Sequence, residues 1–315
     1  MCKNRYGVFV VIFSANVAFF ILAAWLLPIR YETSDDIAMW GLLRGLWEGW
    51  PATDHLIFQS VLYGKFLTLL YNLYDGIEWY AVMMSISQIV AMTILCYHFY
   101  TKTKDKNLII PVIVLFYACW IYLICRFQFT STTAILALSS IVLLLDKKFI
   151  TGGLLFVFAT LMRFESAMMM GLFLAPLFVY RYKTKIRKCW APLALILVIA
   201  FSLKFVDKQA YRNSQWKEFI TYNHARSALQ DNPCGWRGFK EIPDGMSKND
   251  YELLVYDFCF DAEVWTMNKL SEMCVVVNAT PLKYKFKDSF FDFIKPNWIN
   301  MLFMLMLTIT MFFGV

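Results

Sequence analysis

The chain reads as an all-α, polytopic transmembrane bundle of about eight spans, and three observations predict it. Of its 315 residues 59% are hydrophobic and only 17% charged, with a mean hydropathy of +0.52. Ordinary soluble domains are about 45–50% apolar and about 25% charged. The apolar residues gather in runs of spanning length, and the basic residues fall in the short loops between them. The formal charge of +7 is therefore a topology signal and not a nucleic-acid footprint.

A span needs about 20 apolar residues, or about 17 at the short end. The runs that qualify, or nearly so, are 8–28, 78–99, 107–125, 129–145, 149–162, 167–180, 189–206 and 297–315. The first follows Lys3 and Arg5. Trp25 and Pro28 stand where a cleaved leader would carry small residues, so it is expected to remain as a helix. The pieces 149–162 and 167–180 are short and separated by Arg163-Phe164-Glu165. They are expected to be two spans meeting at a shallow outer loop, with a single re-entrant element as the alternative. The chain stops at Val315, inside or just past an apolar segment and without the basic tail expected after a span ending in the cytoplasm, which suggests an incomplete sequence.

The loops alternate in charge. Lys3 and Arg5, then Lys102, Lys104 and Lys106, then Lys147 and Lys148, then Arg181, Lys183, Lys185, Arg187 and Lys188 all fall on one side. The positive-inside rule makes that side, with the amino terminus, cytoplasmic. The outer face then carries the loop 29–77, Arg126, Arg163 to Ser166 and the region 207–295. The expected organisation is a membrane core over 1–206, an extracytoplasmic helical domain over 207–295, and a last span over 296–315.

The first outer loop carries the pattern of two juxtamembrane helices. Ser34 or Asp35 can cap a helix through Trp47, with Ile37, Trp40 and Leu43/Arg44 at helical spacing. Pro51 interrupts, and a second amphipathic run goes from Asp54 to Tyr74. Trp40, Trp47, Trp50 and Trp79 suit helices lying at headgroup level. In the outer domain, Ser247-Lys248-Asn249-Asp250 caps a run from Tyr251 to about Val277, and Asn278-Ala279-Thr280 matches the short N-glycosylation pattern. The eight cysteines show no C-x-x-C or Cys/His cluster. Cys234, Cys259 and Cys274 would permit one disulfide, but buried free thiols are expected.

Three polar groups share the outer face. Asp35-Asp36 stand with Arg44, Asp54 and His55; Arg126 and Arg163, the latter with Glu165, lie at outer helix ends; Tyr222, Asn223, Arg226 and Asp231 lie in the outer domain. Adjacent carboxylates near low-dielectric material are costly unless solvated or used. Each of these residues also has an ordinary explanation: a helix cap for Asp35-Asp36, a structural ion pair for Arg163 and Glu165, a snorkelling anchor for Arg126, an interfacial ring for His55. Together they fit sugar transfer from a polyprenyl phosphate. A carboxylate takes the acceptor hydroxyl's proton, and guanidiniums hold the departing phosphate. Asp36 is the expected base with Asp35 as second carboxylate. Arg163, Arg126 and Arg226 are the expected phosphate contacts, and Glu165, Arg44, His55 and Asn223 join them in substrate binding. A divalent cation bridging carboxylate and phosphate is compatible with the pattern, though no ligand set requires one.

An opening span followed by an outer loop with an acidic pair, juxtamembrane helices and arginines at outer helix ends resembles the GT-C superfamily of polytopic glycosyltransferases. More closely, DDIAMWGLLRG, HLIFQSVLYGKFLTLLYNLYDGIEWY, LMRFES, YNHARSALQD and SKNDYELLVYDFCFDAEVW resemble a group of bacterial integral membrane proteins linked to surface-polysaccharide loci. That likeness covers most of residues 30–270. It implies a catalytic or metal-binding role for Asp35 or Asp36, identifies neither donor nor acceptor, and bears on fold more than on activity. The expected partners, a polyprenyl-phosphate sugar as donor and a glycan or lipid-linked acceptor, follow from the chemistry of the acids and arginines, and the expected location is the bacterial cytoplasmic membrane. The chain is shorter than GT-C enzymes usually are. A polysaccharide polymerase, and a non-catalytic transporter or scaffold, are the alternatives; the lack of an internal repeat and of charges at mid-membrane lowers the transporter.

Overall fold

The structure, a computed structural model, describes residues 5–46, 51–103, 105–182, 190–212, 216–230, 246–255 and 264–278. Trp47 and Trp50, Lys104, the basic run from Lys183 to Lys188, Asp231, Cys234, Cys259 and the expected last span over 296–315 lie outside them. One compact unit runs to Ala210 and a second starts at Tyr211.

The described chain is helical apart from one very short pair of strands. In the first unit α1 is Arg5–Leu26, α2 Ser34–Arg44, α3 Val61–Leu73, α4 Trp79–Lys102, α5 Ile109–Cys125, α6 Phe129–Leu145, α7 Phe149–Met162, α8 Phe164–Tyr182 and α9 Trp190–Arg212. Three of these, α1, α4 and α9, are long and apolar enough to cross a membrane, and α5, α6 and α7 are shorter apolar helices. The break expected between 149–162 and 167–180 is a single residue, Arg163, in extended conformation.

The sequence of α6 explains its central place. It is apolar or small on every side, and such a helix is stable only when surrounded. It packs on α4, α7 and α8 and buries residues along nearly its whole length. Two of its hydroxyls are spent on its own backbone, Ser139 donating to Leu136 O and Ser140 to Ala137 O. Conversely, α1 buries only Asn16 and Ala23. Asn16 is its anchor: Nδ2 donates to Thr93 Oγ1 at 3.0 Å, and the Tyr117 hydroxyl donates to Asn16 Oδ1 at 2.5 Å, tying α1 to α4 and α5. One helical level away, Gln88 donates to Leu123 O and Thr132 Oγ1 and accepts from Trp120 Nε1.

The juxtamembrane helices are shorter than the periodicity predicts. The first ends at Arg44, where Gly45 takes φ 63° and Leu46 N–H closes on Gly41 O, a glycine-dependent left-handed stop. The second starts at Val61 and not at Asp54, because Ile57 has φ 58° and Ser60 caps the helix by accepting from Leu62 N. The loop before it lies hard against α3. A Cβ on Gly64 would sit 1.9 Å from Asp54 O, so only glycine admits that approach.

The second unit contains α10 (Trp216–Gln230), α11 (Lys248–Val255) and α12 (Met267–Asn278). Leu229, Trp265, Leu270 and Met273 form its core. Ser247 and Asp250 make a reciprocal cap, the Asp250 carboxylate accepting from Ser247 N and Ser247 Oγ accepting from Asp250 N. The single helix expected to about Val277 is interrupted at 264–266 by a turn and bend. Helix α9 also continues past 206, so the second unit begins slightly later than the expected boundary at 207. Among the described residues Cys96, Cys119, Cys125 and Cys274 are free thiols.

Candidate functional site

The chain leaving α1 forms β1 (Arg30–Tyr31), which pairs in parallel with β2 (Arg126–Phe127), Arg30 opposite Arg126. Glu32 N–H extends the pairing to Phe127 O at 2.9 Å. This pins the start of α2 to the junction between α5 and α6. Thr33 is the N-cap residue by backbone geometry, but its hydroxyl leaves the backbone and donates to Asp36 Oδ2 at 3.1 Å.

Asp36 is 0% exposed. Its Oδ1 accepts from the Tyr80 hydroxyl at 3.0 Å and from Phe129 N–H at 3.1 Å. One carboxylate thus joins the first turn of α2 to the first turns of α4 and α6. Burial lifts its carboxyl from 3.8 to about 6, against the pull of its hydrogen bonds to Tyr80, Phe129 and Thr33, and the charge of Asp35 adds to the rise. Asp35 itself is half-buried.

Phe129 connects this acid to Arg163. Its N–H holds Asp36, and its ring lies 5.3 Å from the Arg163 guanidinium carbon. Phe58 approaches the same guanidinium at 5.1 Å and stacks on Phe129. Arg163 also meets Glu165 Oε2 at 3.4 Å and donates to Phe58 O at 3.4 Å. Arg126 pairs with Glu32 at 2.7 Å and lies over Tyr122. Sites predicted from distant stretches, Asp35-Asp36, Arg126 and Arg163 with Glu165, therefore gather at one end of the bundle.

His55 Nδ1 meets Asp54 Oδ1 at 2.5 Å in the loop before α3. Arg44 belongs to a different cluster, with Glu78 at 2.9 Å and the Tyr71 ring at 5.4 Å, where Trp40 Nε1 also donates to Glu78. Arg226 and Asn223 lie in the second unit, the guanidinium donating to Asn223 Oδ1 at 3.0 Å.

Sequence reading missed several partners. Glu32 and Glu78 stood next to residues already singled out but looked like ordinary loop charges. Asp207 is buried and accepts from Val61 N–H at 2.8 Å, and Lys204 reaches Glu165 at 3.1 Å. Both were hidden by the apolar surroundings of α9. Tyr80 carried no signal beyond an aromatic at a helix start. Gln59, 2% exposed and 3.5 Å from the Tyr80 hydroxyl, has no partner for its Oε1 among the described residues. Among those residues no three His, Cys, Asp or Glu side chains cluster closely enough to hold a metal ion. No family model, curated protein or solved structure matches the chain.

Proposed function

We propose that the protein transfers a sugar from a polyprenyl-phosphate donor to a glycan or lipid-linked acceptor on the outer face of a bacterial cytoplasmic membrane. In this reading the bundle has about eight spans and a cytoplasmic amino terminus. The observation that carries it is the junction at Phe129, which brings a buried carboxylate and a guanidinium to opposite ends of one residue. An acceptor hydroxyl must lose a proton as the lipid phosphate gains charge. The junction fixes Asp36, and with it the neighbouring Asp35, at the same end of the bundle as Arg163, and an acid and a cation suit the two ends of that step.

The geometry supports a changed division of roles between the acids. Asp36 is enclosed by three donors, whereas Asp35 beside it is half-buried. Asp35 takes the proton, and Asp36 is a positioning residue that fixes the first turn of α2. Arg163 and Arg126 receive the phosphate, and the orphan Gln59 Oε1 is an acceptor for a sugar hydroxyl. A non-catalytic scaffold is favoured by one observation, that Arg44, Arg126 and Arg163 each already face a carboxylate.

The test is transfer from a panel of polyprenyl-phosphate sugars by the full chain in proteoliposomes. Asp35→Asn is expected to abolish transfer with unchanged expression, and Asp36→Ala, which unties α2 from Tyr80 and Phe129, to lower transfer per folded protein about tenfold or more through misplacement. No transfer from any donor, or wild-type turnover by Asp35→Asn, would remove the proposal.

A further inference from the structure

We propose that a cleft between α1, α4 and the β1–β2 pair binds an anionic membrane phospholipid, with Arg30 receiving its phosphate. The cleft has a volume of about 260 Å³ and is walled by Phe20, Ile29, Tyr31, Ala81 and Phe127. That is many times the roughly 10–15 Å³ that admits one water, and the walls are apolar, so a hydrocarbon chain suits it. The hydroxyl of Ser85, also on the cleft, is spent on Ala81 O at 2.8 Å. The remaining charged group is the guanidinium of Arg30.

Arg30 is exposed, and no carboxylate among the described residues lies within ion-pair distance of it. Its register partner Arg126 is already neutralised by Glu32. Of the two arginines in register, Arg126 thus has the carboxylate and Arg30 has none, which leaves Arg30 as the cation open to an anion at the cleft. Its depth suits a headgroup. Arg30 follows α1 by four residues, and α1 exposes Ile21, Leu22, Trp25 and Leu26 just before it, an apolar surface ending in an interfacial tryptophan. A guanidinium at that level matches phosphate geometry, and the cleft beside it takes the start of an acyl chain.

The occupant is a phospholipid and not the sugar donor because neither Asp35 nor Asp36 lines the cleft. The Tyr31 ring stands against Tyr80, centroids 5.9 Å apart, and the Tyr80 hydroxyl is what holds Asp36. A lipid seated here is shut off from the carboxylates by that aromatic layer. The inference therefore requires a membrane but does not rest on sugar transfer.

Native mass spectrometry of the full chain in a neutral maltoside detergent, titrated with phosphatidylglycerol, phosphatidylcholine or a polyprenyl phosphate, tests it. Phosphatidylglycerol is expected to be retained over phosphatidylcholine, with about tenfold weaker retention in Arg30→Gln and in Ala81→Leu, which narrows the cleft. Glycerol phosphate, which has the headgroup and no chains, is expected not to compete. Equal retention of the two phospholipids, undiminished phosphatidylglycerol binding by both variants, competition by glycerol phosphate, or preference for the polyprenyl phosphate would each overturn it.

Discussion

Asp36 offers a perturbation whose size follows from its surroundings. Its carboxyl titrates near 6 in the folded chain against 3.8 when free. At about 1.4 kcal/mol per pH unit that gap amounts to about 3 kcal/mol. The folded pKa is raised, so the folded state binds this proton more tightly than the unfolded chain does. The stabilising contribution is complete below about pH 4 and is lost as pH rises through 6. Asp36→Asn removes the titration while its side-chain oxygen can still accept from Tyr80 and Phe129 N–H. Melting temperature in detergent is then measured for both proteins between pH 7 and pH 5. Wild type is expected to gain on Asp36→Asn steadily as the pH falls. Asp36→Ala is expected to be less stable than Asp36→Asn at every pH. It leaves a buried N–H and a buried hydroxyl unmet, each costing about 1–3 kcal/mol. Parallel pH curves for wild type and Asp36→Asn, or equal stability of the Asn and Ala variants, would refute the buried three-donor carboxylate.

Two further substitutions probe the frame around it. Gly64→Ala puts a Cβ 1.9 Å from the Asp54 carbonyl. Since backbone cannot yield as a side-chain tip does, a loss of about 3 kcal/mol or failure to fold is expected, read as melting temperature or yield of folded protein. Asn16→Ala removes both bonds that hold α1 to Thr93 and Tyr117. A loss of about 1–2 kcal/mol is expected, the range for hydrogen bonds between membrane helices, with earlier proteolysis around α1 as the readout.

Helices α4 to α7 were legible because each is an apolar run bounded by charge, and they begin and end within a few residues of the expected limits. The loop before α3 was not. Leu56 and Phe58 continue the apolar spacing of Val61, Leu62 and Phe66, so periodicity extends the helix backward through them. Yet Ile57 stands at φ 58° and Leu56 is fully buried. Tertiary burial, and not helical propensity, decides that stretch. The site divides in the same way. Asp35-Asp36, Arg126 and Arg163 stood out as charges at the ends of apolar runs. That Phe129 would join them depends on a backbone N–H and a ring face, which leave no mark in sequence. Arg44 was drawn in by its nearness along the chain to Asp36, but α2 carries it to the opposite end of that helix, where Glu78 holds it.

The central claim is that the acid pair and Arg163 act as one site through Phe129. The most direct measurement is a double-mutant cycle on sugar transfer per folded protein with Asp36→Ala, Arg163→Gln and their combination. Coupling is expected, with the double variant losing clearly less than the product of the single losses, by more than the about 0.5 kcal/mol scatter of independent sites. Single losses that simply multiply would contradict it.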